Sequence, residues 1–117
     1  MYSPPVIPKD LVAASARPLV MSILAEGDSY GYAILQRVRE LSKEEVEWAD
    51  GMLYPVLHRL EREGLIASNW RESAAGRKRK YYHLNETGRA ALATERRQWL
   101  TVHNTMARIW GLKPVSI

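Results

Sequence analysis

Two clusters of side chains could do chemistry, and both are chemistries of charge recognition. The first lies between Asp50 and Glu63, where Tyr54, Pro55, His58, Arg59 and Arg62 interleave with Leu53, Val56, Leu57 and Leu60. The second is Arg77-Lys78-Arg79-Lys80, an unbroken run of cations leading into Tyr81-Tyr82-His83. Adjacent like charges repel, so such a run faces solvent or an anion. Guanidinium, ammonium and phenol groups together suit phosphate and base edges. They do not make a nucleophile or a proton-transfer pair. His58, His83 and His103 lack metal-ligand spacing, and there is no cysteine, so no thiolate, zinc–cysteine site or disulfide is expected. No glycine-rich phosphate loop occurs, and Glu44, Glu45 and Glu47 read as a solvated acidic loop. No enzyme activity, metal or cofactor is expected.

These groups must be held by elements that the hydrophobic periodicity outlines. Advancing about 100° per residue from Leu53 gathers Leu53, Val56, Leu57 and Leu60 in one arc. Gly51, Pro55, His58 and Arg62 fall opposite, with Tyr54 and Arg59 on the flanks. This predicts a third helix from Ala49 or Asp50 to Glu63, capped by Gly64, with a buried apolar side and a basic exposed side. Pro55 places its start near residues 49–52. A strand over Leu65–Arg71, a tip at Ser73–Gly76 and a return strand from Lys78 or Arg79 to Leu84 follow. Ahead of them, one helical segment runs from about Lys9 to Ala25, with Leu11, Val12, Leu19, Val20, Ile23 and Leu24 on its apolar side. Pro18 either kinks it or opens a new helix. Asp28 or Ser29 is expected to cap a second helix over Tyr30–Leu41, whose apolar stripe is Tyr30, Ile34, Leu35, Val38 and Leu41. Ser42–Ala49 reads as a connector, with Trp48 as a plug over the core. Three helices and then a hairpin, in this order, give a mostly helical α+β fold, a winged helix-turn-helix. The helix fits a DNA major groove and the basic hairpin can grip the backbone or minor groove, so double-stranded DNA is the expected partner. A winged helix can also serve as a protein-interaction module.

The chain is 117 residues long, enough for one domain, with net charge +4 and a pI of about 9.6. No apolar run approaches a membrane span, and the missing cysteines fit a reducing cytosol. The expected organisation is an extended lead-in over 1–8, a winged-helix domain over 9–84, a C-terminal helix within 85–112 and a tail over 113–117. Asn85 reads as the N-cap of that last helix, which runs from Glu86 to about Trp110 and would extend about 37 Å. Leu92, Trp99 and Met106 recur every seven residues, with Val102 and Ile109 three beyond the latter two and a break at Glu95. A seam longer than the domain it serves suggests a partner helix from a second copy, a homodimer. The alternative is a fourth helix folded back on the first in a monomer.

Over nearly its whole length the chain resembles the PadR family of bacterial transcriptional regulators. Ser29-Tyr30-Gly31-Tyr32-Ala33-Ile34 is similar to the family's Tyr-Gly-Tyr signature. The stretch from Gly51 through Met52-Leu53-Tyr54-Pro55 to Ile66 is similar to its recognition-helix signature. Arg79-Lys80-Tyr81-Tyr82-His83-Leu84 with Thr87-Gly88-Arg89 is similar to its wing and linker. One departure is Met52, where the family usually carries Ser or Thr. The single long C-terminal helix resembles the family's short subfamily. The resemblance implies a homodimeric repressor on a pseudo-palindromic operator. Tyr54, Pro55, His58, Arg59, Arg62, Arg77, Lys78 and Arg79 are the expected DNA-contacting residues. It also implies control by a planar aromatic small molecule held at the dimer interface by Trp99, while Trp110 reads as packing or rim. Leu92, Trp99, Val102, Met106 and Ile109 are the expected dimer contacts.

Overall fold

The computed structural model describes residues 7–117. The lead-in expected over 1–8 therefore lies, for residues 1–6, outside the described residues. Seven elements follow in order: α1 (Lys9–Glu26), β1 (Ser29–Tyr30), α2 (Gly31–Leu41), α3 (Asp50–Arg62), β2 (Ile66–Glu72), β3 (Lys78–Leu84) and α4 (Glu86–Ile109). This is the expected helix, helix, helix, hairpin, helix order of a winged helix-turn-helix. The short strand β1 is an addition to it.

Residues Ser29 and Tyr30 were expected to lead into α2 as cap and first turn. They are instead extended and pair antiparallel with Tyr82 and Tyr81 of β3, giving a three-stranded sheet in the order β1-β3-β2. Tyr30 is the N-cap of α2 and makes no side-chain cap bond. Asp28 does not cap either, because its carboxylate is committed to the hairpin, accepting from Arg71 and pairing with His83 Nδ1 at 2.7 Å. Two residues carry no strand periodicity of their own, so only the neighbouring strand makes β1 visible.

Pro18 lies inside one continuous helix and does not open a second. Proline leaves the carbonyl four residues earlier without its helical donor. That residue, Ala14, is exposed, so water can serve it. Pro55 lies in the second turn of α3 rather than the first, and the carbonyl it orphans belongs to exposed Gly51. The N-cap of α3 is Ala49. Met52, which could not have capped the helix, packs against the core. At the other end Glu63 is the C-cap, and Gly64 follows it with φ +74°, a left-handed conformation suited to glycine.

The core sits where α1, α2, α3 and the inner end of the sheet meet. Val20, Met21, Leu24, Ile34, Val38, Leu53, Leu57, Leu60, Tyr82 and Leu84 are fully buried there, with Trp48 closing one side as expected. Two predicted core positions are exposed: Leu11 begins α1 beyond the packed region, and Leu41 ends α2 past it. Among the described residues no helix is long and apolar enough to cross a membrane.

The junction between hairpin and α4 is tightly built. Asn85 Oδ1 accepts from the Gly88 N–H at 2.8 Å, while Asn85 Nδ2 donates to the Gly64 carbonyl at 2.8 Å. One side chain thus caps α4 and pins it to the end of α3. A Cβ at Gly88 would collide with the Leu65 carbonyl and the Leu84 side chain. That collision gives a packing reason for the glycine of Thr87-Gly88-Arg89.

Candidate nucleic-acid interface

The sidedness predicted for α3 is present. Leu53, Leu57 and Leu60 face the core, and Val56 is half-buried beside them. Tyr54, Pro55, His58, Arg59 and Arg62 are all exposed; Pro55, Arg59 and Arg62 border a groove with Ala13 and Arg17 of α1, and Tyr54 and His58 stand on the exposed side of α3. The Tyr54 and His58 rings lie 6.3 Å apart. Tyr54 also leans on α2, because a Cβ at Gly31 would collide with its ring and hydroxyl. The glycine in Tyr-Gly-Tyr therefore lets the first turn of α2 lie against Tyr54.

The hairpin divides its cations between two faces. Side chains alternate across a strand, and cross-strand partners share a face. The register pairs Ile66 with Leu84, Ser68 with Tyr82, Trp70 with Lys80 and Glu72 with Lys78. This front face begins in the core and continues outward toward α3. The reverse face carries Ala67 with His83, Asn69 with Tyr81 and Arg71 with Arg79.

Reverse-face cations are bound internally. The Arg79 guanidinium sits 4.5 Å over the Tyr30 ring and donates to the Tyr30 hydroxyl at 3.0 Å. Arg71 sits 4.7 Å over Tyr81 and pairs with Asp28. Arg71 first, and His83 second, hold the Asp28 carboxyl below the usual carboxylate range. Lys78 and Lys80 instead occupy the front. Lys80 Nζ lies 5.7 Å from the Tyr82 ring centroid. Lys78 faces Glu72, yet no ion pair joins the two among the described residues.

Between the front face and the helices lies an open cleft of about 550 Å³, whose lining includes Tyr32, Tyr54, Trp70, Arg77, Lys78, Arg79 and Lys80. Three of these, Tyr32, Trp70 and Lys80, were not singled out from the sequence as contact residues. Alternation through β2 and β3, given the register, was the signal that could have found Trp70 and Lys80.

Helix α4 has two unlike halves. Its first half packs on the domain through Ala91 and Leu92. Glu95, the break in the heptad seam, accepts from Arg17 Nε at 3.1 and 3.0 Å. The same guanidinium donates through both terminal nitrogens to Glu63, at 2.6 and 2.9 Å. Arg17 thereby holds the Glu63 carboxyl below its ordinary range, and Glu63 is the main cause that pushes Arg17 upward, against burial and with Glu95. Trp99, half-buried, lines a groove of about 310 Å³ between α1 and α4.

Beyond it the seam is open: Val102 is 52% and Ile109 81% exposed, with Met106 exposed between them. Trp110, the C-cap, is exposed as well. The chain after it is anchored rather than loose. Buried Asn104 donates to the Val115 carbonyl at 2.7 Å and accepts from the Val115 N–H at 2.8 Å. No group of acidic, histidine or cysteine side chains able to hold a metal occurs among the described residues.

The chain matches known proteins along most of its length. The model of the transcriptional regulator PadR-like family matches residues 20–94. Transcriptional regulator Rv3488 of Mycobacterium tuberculosis is 36% identical over 89 residues, covering 76% of this chain and 79% of that protein. A transcriptional regulator from Clostridium thermocellum superposes with a TM-score of 0.79 at 28% identity, covering 88% of this chain and 97% of the other. A PadR family transcription regulator from Clostridium difficile superposes with a TM-score of 0.72 at 32% identity, covering 82% and 98%.

Proposed function

The chain belongs to the PadR-like family of transcriptional regulators, not to an enzyme family, and from that premise we propose a repressor that binds a pseudo-palindromic operator as a homodimer. In this reading α3 enters the major groove. His58, Arg59 and Arg62 reach bases or phosphates, Tyr54 donates to a phosphate, and Pro55 packs against the backbone. Arg77, Lys78 and Arg79 add contacts from the wing. Two-fold symmetry sets half-sites roughly 34 Å apart. The observation that carries this reading is the sidedness of α3: four exposed aromatic or basic residues and Pro55 stand over three buried leucines, beside a cation-lined cleft.

The test is binding to duplex DNA from upstream of the gene, compared with random duplex, across a salt series. Arg59→Ala is expected to lower the preference for operator by about 1–3 kcal/mol. Arg77→Ala is expected to weaken binding to every sequence alike and to flatten the salt slope by about 0.9. Equal fractional losses for both variants on every duplex would contradict this division of roles.

The open seam of α4 supports the dimer, with Leu92, Trp99, Val102, Met106 and Ile109 as contacts. Sedimentation at micromolar concentration should give twice the chain mass, and a single-subunit mass would refute it. The groove beside Trp99 supports a planar aromatic effector, since an indole offers a large face for offset stacking. Such a ligand shifts DNA affinity only by its differential affinity for the two arrangements of the dimer. Titration with a planar cationic dye should quench tryptophan fluorescence in the wild type and much less in Trp99→Ala.

A further inference from the structure

Trp70 is the least explained large side chain in the DNA-binding half of the molecule. It lies midway along β2, yet it is 68% exposed and belongs to no aromatic pair among the described residues. Its register partner Lys80 puts it on the front face, two residues outward from the pair Ser68 and Tyr82. Tyr82 is buried, so core packing ends there and Trp70 stands beyond it. The opposite wall of the cleft carries Tyr54 from α3 and Tyr32, 66% exposed, from the first turn of α2. Arg77, Lys78, Arg79 and Lys80 also line the cleft, and no carboxylate does; Glu72 is the register partner of Lys78.

An occupant must therefore offer apolar edges to aromatic faces and negative charge to ammonium groups, in alternation. A sugar–phosphate strand has that composition. Lys78 and Lys80, two residues apart on one face, stand about 7 Å apart along β3, with the indole level with the second.

We propose that the cleft between the wing and the first turns of α2 and α3 clamps one sugar–phosphate strand of duplex DNA, with Trp70 packed on a deoxyribose and Lys78 and Lys80 on the flanking phosphates. This rests on the DNA-binding reading above. It adds Trp70 and Lys80 as positioning contacts beside the wing cations named there. Because an indole is neutral, its contribution is independent of both sequence and salt.

The experiment uses the full chain, a labelled 30-base-pair duplex of arbitrary sequence, and a duplex from upstream of the gene. Anisotropy is followed across a salt series. Trp70→Ala is expected to weaken binding to both duplexes by the same factor, about tenfold, which is the scale of one aromatic contact with nucleic acid. Its salt slope should match the wild type, and Trp70→Phe should recover most of the loss. Lys80→Ala should flatten the slope by about 0.9. Duplex addition should quench indole fluorescence, and Trp70→Phe should remove that quench.

Wild-type affinity in Trp70→Ala overturns the clamp, as does a loss confined to one sequence. If the wild type binds neither duplex in dilute buffer, the DNA-binding reading itself fails. If Arg59→Ala loses operator preference while Trp70→Ala binds like the wild type, only the clamp fails. Circular-dichroism melts check folding, and exposed Trp70 should leave the midpoint unchanged.

Discussion

The two faces of the wing carry similar charge and behave as different materials. On the reverse face Arg71 and Arg79 are spent on Asp28, Tyr81 and Tyr30, and these contacts fasten β1 and the start of α2 to the hairpin. On the front face Lys78 and Lys80 stand beside Trp70 and open into the cleft. Counting cations along Arg77–Lys80 treats them as one patch. Strand alternation sets Arg79, held on Tyr30, apart from Lys78 and Lys80, although all three border the cleft.

The largest effect expected from this contrast is structural. Tyr82→Ala empties the inner end of the front face and should cost about 3–5 kcal/mol in denaturant melts. Lys80→Ala, two residues outward on the same face, should stay within about 0.5 kcal/mol. A comparable loss in both would mean that the front face is not divided into core and open parts.

On the reverse face, Arg71→Ala removes an ion pair and a cation–π contact, both partly exposed. It should cost about 1 kcal/mol while leaving the salt slope of DNA binding unchanged. Arg79→Ala should cost a similar amount of stability but, since Arg79 borders the cleft, should also flatten the slope by about 0.9. An unchanged slope in Arg79→Ala would show that its contact with Tyr30 keeps Arg79 off phosphate.

The smallest effect concerns pH. Asp28 has a folded pKa below its ordinary 3.8, held there by Arg71 and then His83. Its stabilising contribution is present above the ordinary value and is lost as pH falls through the folded one. The wild type should therefore lose more stability than Asp28→Asn as pH falls from the ordinary carboxylate value through the folded one, by under about 1 kcal/mol. Identical pH profiles would remove Asp28 from the reverse-face network.

Much of this architecture was legible in the order of residues. The leucine arc of α3 is strictly periodic, so both its buried side and its exposed side followed from helical geometry. The hairpin, the Asn85 cap and the length of α4 were legible from similarly local signals. What escaped depends on partners distant in sequence. Asp28 looked like a cap because its real partners, Arg71 and His83, lie 43 and 55 residues away. Strand β1 exists through Tyr81 and Tyr82. Glu95 looked like a flaw in a seam because Arg17 is 78 residues distant. Trp70 fell within the expected strand over Leu65–Arg71, but the cleft it borders is created only when α2, α3 and the wing assemble.

Arg17 gives that assembly a mechanical property. One guanidinium grips the carboxylate that ends α3 and a carboxylate in the first half of α4. Tilting α4 away from α1 would strip Arg17 of the Glu95 carboxylate and leave Glu63 as its one remaining anion. The molecule thus contains a single cationic rivet, on α1, shared by the end of the helix that carries Arg59 and Arg62 and by α4.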